Sequence, residues 1–292
     1  MKNRWLLGFA VSVLLPVLSF AGVEWETKSV TKIESKESLT IIKGDAQNGN
    51  VKEEIIDASD SANPILKKGS YFLYKNGSSN VIVVSPENKT YTEMSLTDMM
   101  NAMGEIIQIS INNAAVSVTK LADEAILSYP CQHAKIDSAY DMEMKIAFIT
   151  TKSHVEQSQE IWGTDKIGAK DFADLYKNKS FKSSMKDLDS LIEKQSAALA
   201  GMSFPLKSIT IQRVSDINKP KNVKTTTTET TVSTIIEKAL SDDIFKIPAG
   251  YSKTEIAAAD TNKSLSEATN KQDKLEINTK DLSKKLLKGL FN

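Results

Sequence analysis

The chain has 292 residues, with 37 Lys and Arg against 37 Asp and Glu, two His and one Cys. Balanced charge offers nothing that would recruit nucleic acid. A lone Cys excludes an intramolecular disulfide, so core burial must hold the fold.

Lys2 and Arg4 precede an apolar run from Trp5 to Phe20, and Ser19-Phe20-Ala21 closes it. This pattern predicts a secretory signal peptide over 1–21, cut after Ala21. The run is shorter than the roughly 20 residues of a spanning helix and contains Pro16. No Cys lies near the cleavage point, which excludes a lipoprotein anchor and predicts a soluble periplasmic or secreted product. Without Lys2 and Arg4, 35 basic side chains face 37 acidic ones.

Val23 to Ile33 and Ser38 to Lys43 mix β-branched, aromatic and charged residues, as strands with one wet face do. Gly44 to Asn50 reads as a turn, and Val51 to Asp57 as a returning strand. Tyr71-Phe72-Leu73-Tyr74 and Val81-Ile82-Val83-Val84 flank an Asn76-Gly77 loop, with Thr90 to Met94 completing a meander. Leu96, Met99, Met100, Met103, Ile106 and Ile107 then fall at helical spacing. Three Met residues on one face suit either an irregular core or varied apolar ligands.

Strands are expected at Ile109 to Thr119, along the stretch from Tyr129 through the alternating Met142, Met144, Ile146 and Phe148, and at Val155 to Trp162. Phe172, Leu175 and Tyr176 suggest a short helix. A longer helix is marked by Met185, Leu188, Leu191, Ile192, Ala198 and Leu199, with Gly201 past its end. Ile209 to Val214 and Val223 to Ile236 form a predicted hairpin, its second arm rich in Thr. Beyond Ile256 the composition turns small and polar, giving a linker over 257–292 that ends in an amphipathic basic helix. Leu282, Leu286 and Leu290 line its apolar side. Lys280, Lys284, Lys285 and Lys288 line the other. It could meet a membrane surface, the body of the protein or an envelope partner.

Chemistry is sparse. There is no Gly-x-Ser-x-Gly elbow, phosphate loop, His-Glu-x-x-His or Cys-x-x-Cys. Cys131 and His133, two apart on a strand, point to one side, but a buried structural Cys beside a partly exposed His is the simpler reading. Cys131, His133 and His154 make a poor zinc set, so neither metal nor cofactor is expected. Glu53-Glu54-Asp57 and Asp187-Asp189 lie among Lys residues and read as solvated faces. Trp162 reads as core.

Four segments, Tyr129-Pro130-Cys131-Gln132-His133-Ala134-Lys135-Ile136, Glu160-Ile161-Trp162-Gly163-Thr164, Phe204-Pro205-Leu206-Lys207 and Phe245-Lys246-Ile247-Pro248-Ala249-Gly250-Tyr251, come in an order that resembles the exported bacterial domain-of-unknown-function family 4412 (DUF4412). The likeness spans Val23 to Ile256. It departs at Ser128, where the family often has Gly, and in a longer stretch between Trp162 and Phe204. The resemblance implies an α+β domain over 22–256, similar to LolA-like lipoprotein-carrier half-barrels: a curved antiparallel sheet with helices on its concave face. In such relatives that face takes acyl chains or other apolar ligands, and no catalytic residue is implied.

The resulting expectation is a non-enzymatic exported protein binding a lipid or lipoprotein acyl chain, with Met99, Met100, Met103 and Ile107 on a lid helix over Met142, Met144, Ile146 and Phe148. The competing expectation is a structural or adaptor protein of the envelope acting through the C-terminal helix.

Overall fold

The computed structural model describes residues 22–59, 67–78, 80–95, 107–146, 149–167, 186–197 and 202–254. The predicted signal peptide, the three helical Met residues, the short helix near Phe172 and the C-terminal helix lie outside these.

Thirteen strands form one sheet with a small appendage: β1 Gly22–Ile33, β2 Lys36–Gln47, β3 Asn50–Ala58, β4 Tyr71–Tyr74, β5 Asn80–Ser85, β6 Thr90–Ser95, β7 Ile107–Lys120, β8 Glu124–Ile126, β9 Tyr129–Ile146, β10 Ile149–Thr164, β11 Phe204–Asp216, β12 Lys219–Glu237 and β13 Ser252–Lys253. The spatial order is β13-β6-β5-β4-β3-β2-β1-β12-β11-β10-β9-β7, with β8 paired to β9 alone, so the sheet is curved but unclosed. All pairs are antiparallel except β13 with β6. Helix α1, Lys186–Ala197, matches the predicted long helix and packs against β7. Among the described residues no helix is long and apolar enough to cross a membrane.

β2 runs on through Gly44 to Gln47, so the expected turn over 44–50 contracts to Asn48 and Gly49, both at positive φ. Such a pair fits the twist of a two-residue hairpin. Gly44 is needed inside the strand for another reason: the Trp25 indole lies over it, and a Cβ there would overlap the ring. Ile107 opens β7 rather than closing a helix. Its neighbours alternate, Ile107, Ile109 and Ile111 against Gln108, Ser110 and Asn112, and that period of two prevails over the helical spacing read upstream.

The largest core gathers at one end of the long strands. Val23, Trp25, Ala46, Val51, Cys131, Trp162, Ile167, Phe204, Leu206 and Val232 form it, with Trp25 edge-on to Phe204 at 5.6 Å between centroids. We call this the closed end. Tyr71, Leu73, Ile82 and Val84 form a separate cluster on the meander, covered by Tyr91, Ile247 and Tyr251. Lys75 Nζ donates to the Phe245 carbonyl, tying that cover to the β4–β5 loop. The opposite end carries the tips of three hairpins, where Ile33 pairs with Lys36, Ile146 with Ile149 and Asp216 with Lys219. This is the open end.

Candidate functional site

Residues paired across a sheet share a face, so the register maps what lies beside Met142 and Met144. On β9 that face carries Ala134, Ile136, Ser138, Tyr140, Met142 and Met144. β7 sets Ile109 beside Met144, Ile111 beside Met142 and Val116 beside Ser138, while β10 sets Val155 beside Tyr140 and Ile161 beside Ala134. Toward the closed end the face is filled by Ala134, Ile136, Ile161 and Met202. Toward the open end Tyr140, Met142, Met144 and Ile109 are half-buried. α1 supplies buried Leu191, and Gln195 Nε2 donates to Ser138 Oγ at 3.3 Å. Burial pushes the Tyr140 phenol up from its ordinary value.

The same face changes character across the sheet. Ile136 pairs with Gln159, Gln159 with Thr210, Thr210 with Thr228 and Thr228 with Thr31. Thr31 and Thr228 hydroxyls meet at 3.1 Å, and Ser29 and Thr230 at 2.9 Å, a ladder joining β1 to β12. Hydroxyl and amide side chains therefore stand alongside an apolar strip on one continuous face. The face therefore offers an apolar patch at Met142 and, three and four strands away in the rows of Ala134 and Ile136, a hydroxyl patch on β12 and β1.

Of the sequence-predicted residues, Met142 and Met144 lie on this face, and Ile146 ends β9 paired with Ile107. Met99, Met100, Met103 and Phe148 lie outside the described residues, as do Leu282, Leu286 and Leu290. Tyr140, Ser138 and the hydroxyl ladder were missed. Their only sequence signal was alternation running back from Met142 and the threonine-rich run at 225–231.

Cys131 and His133 do share a side, near the closed end. Cys131 is 1% exposed, its Sγ donates to the Tyr129 carbonyl at 3.4 Å, and burial pushes its thiol up. A thiol held protonated is a poor nucleophile. His133 is buried at 7% exposure, contrary to the expected partial exposure. It stacks on Trp162 with centroids 4.0 Å apart and rings 16° from parallel, while Lys207 Nζ lies 4.8 Å over the indole. Its Nε2 is 3.3 Å from Glu160 Oε2. His133, Trp162 and Lys207 occupy one cross-strand row, so register explains the stack. His154 lies toward the open end, its Nδ1 2.7 Å from Asp141 Oδ1. Among the described residues no group of three His, Cys, Asp or Glu is placed to hold a metal.

The fold thus defines a class, an unclosed curved sheet with one packed end and one open end. The chain belongs to DUF4412, a domain of unknown function whose profile matches residues 29–251. No curated protein matches it. Among solved structures, a candidate outer membrane lipoprotein-sorting protein domain from Vibrio parahaemolyticus is similar at 10% identity, covering 78% of this chain and 91% of that one, with a TM-score of 0.29. A DUF1329 family protein from Desulfovibrio piger ATCC 29098 is similar at 10% identity, 78% and 90% coverage and a TM-score of 0.29. PNGF-II is similar at 11% identity over 80% of this chain, which spans 31% of that one, with a TM-score of 0.33.

Proposed function

We propose that this is an exported, non-enzymatic binding protein that takes a lipid or other amphiphile on the Met142 face. The observation carrying the reading is the cluster of half-buried Ile109, Tyr140, Met142 and Met144 on neighbouring β7 and β9, beyond the filled part of the face. Binding would draw on apolar area removed from water, at about 25 cal/mol per Å². Thioether side chains adapt to chains of different length. α1, whose Gln195 donates to Ser138 on this face, would act as the cover.

Native mass spectrometry of the protein recovered from its own envelope tests this. A bound amphiphile is expected, and Met142→Asp with Met144→Asp should abolish it while far-UV circular dichroism stays unchanged. Absence of added mass, together with no melting-temperature shift in fatty acids or lipopeptides, would refute the reading.

A further inference from the structure

β12 begins far beyond its neighbour. Ile33, the last residue of β1, pairs with Thr226, so Lys219, Val223, Lys224 and Thr225 pair only with β11, with 220–222 bulged between them. Four paired residues, Arg213 to Asp216, carry the β11–β12 hairpin beyond β1 by about 13 Å at about 3.3 Å per residue, beside the β9–β10 hairpin, which runs on to Ile146 and Ile149. Its turn is fixed: Asp216 Oδ1 accepts from the Asn218 amide at 2.7 Å, and Lys152 O accepts from the Ile217 amide at 3.1 Å.

What this projection presents is selective. Every residue from Asp216 to Thr225 is exposed. Ile217 is 42% exposed and Val223 51%, with Ile33 at 40% on the adjacent hairpin tip. Lys219, Lys221 and Lys224 stand beside them, and among the described residues none of the three has an ion-pair partner. Elsewhere at this end Lys32 pairs with Glu37 at 3.2 Å and Lys152 with Glu143 at 2.8 Å, while among the described residues exposed Lys36 and Lys145 sit singly on the neighbouring hairpins. The lone acid of the tip, Asp216, is engaged by the turn.

We propose that the β11–β12 hairpin tip docks on an anionic lipid surface. Free lysines supply attraction to acidic headgroups, and two apolar side chains on a stiff projection enter the headgroup boundary. An acidic protein partner would match the charge but would leave Ile217 and Val223 without a function. Docking sets the open end, with Met142 and Met144 near the ends of their strands, toward the membrane. The inference stands apart from ligand binding, because vesicle association needs no ligand on the Met142 face.

The test is co-sedimentation of the protein, recovered from its own envelope, with phosphatidylcholine vesicles and with vesicles containing phosphatidylglycerol. Preferential, salt-sensitive binding to the phosphatidylglycerol vesicles is expected. Lys219→Glu, Lys221→Glu and Lys224→Glu together should weaken it on the order of 100-fold at low salt. Ile217→Ser with Val223→Ser should weaken it about tenfold. Charge reversal of Lys280, Lys284, Lys285 and Lys288 in the tail should retain the hairpin's contribution. Binding that ignores lipid charge, that survives the hairpin substitutions, or that follows the tail substitutions alone overturns the proposal. Unchanged circular dichroism and melting temperature keep folding separate from docking.

Discussion

The two ends of the long strands are built from the same chain segments yet obey different rules. At the closed end side chains from seven strands interlock, and Asp45, caught beside them at 6% exposure, has its carboxyl pushed up chiefly by burial. At the open end Asp141 has its carboxyl held down, first by the His154 hydrogen bond and then by that of Asn113. One carboxylate reports a dry surrounding and the other a wet, hydrogen-bonded one. Stability is therefore concentrated where the sequence is aromatic, and the far halves of the strands are left free to present a surface.

Substitutions can break that division. Phe204→Ala at the closed end removes the edge contact with Trp25 and should cost about 3–5 kcal/mol in chemical denaturation. Gly44→Ala, which forces the indole off its seat, should cost about 1–3 kcal/mol by the same measurement. At the open end Met144→Ala should cost less than about 1 kcal/mol, because the side chain is already half in water. A loss at Met144 equal to that at Phe204 would erase the distinction.

The smallest effect is a pH dependence at Asp45. Its folded-state pKa is raised, so the folded protein holds the proton more tightly than the unfolded chain. Stability from this group is present below its ordinary value and falls as pH climbs through the raised one. Asp45→Asn should therefore be more stable than the parent at pH 7, and the gain should vanish near pH 3. Urea denaturation at the two pH values reads this directly.

Much of the strand content was legible. The Asn76-Gly77 hairpin, the arms around Asp216 to Asn222 and the helix over Lys186–Ala197 all follow from local turn, branching and spacing signals. What could not be read is partnership over distance. β1 lies between β2 and β12, so Ser29 meets Thr230 across 201 residues, and no periodicity within either segment announces the pairing. The same blindness made His133 look partly exposed, since its cover is Trp162 on another strand. Only half of the expected site could be compared: Met142 and Met144 lie on the amphiphilic face, while Ile107 proved to be a strand residue because alternation outweighed helical spacing.

The short parallel strand β13 has a bearing on how copies of this protein behave together. Tyr91 and Lys89 carbonyls accept from the Thr254 and Ser252 amides, so the start of the outer rim of β6, at Thr90 and Tyr91, is occupied by its own chain. At the other rim β7 is interrupted by an irregularity between Asn112 and Ala115 and flanked by α1. A sheet this wide with two bare rims would be a template for stacking into fibres. Features that interrupt each rim oppose edge-to-edge pairing of copies, and a truncation before Ser252 should raise the rate of aggregation read by light scattering.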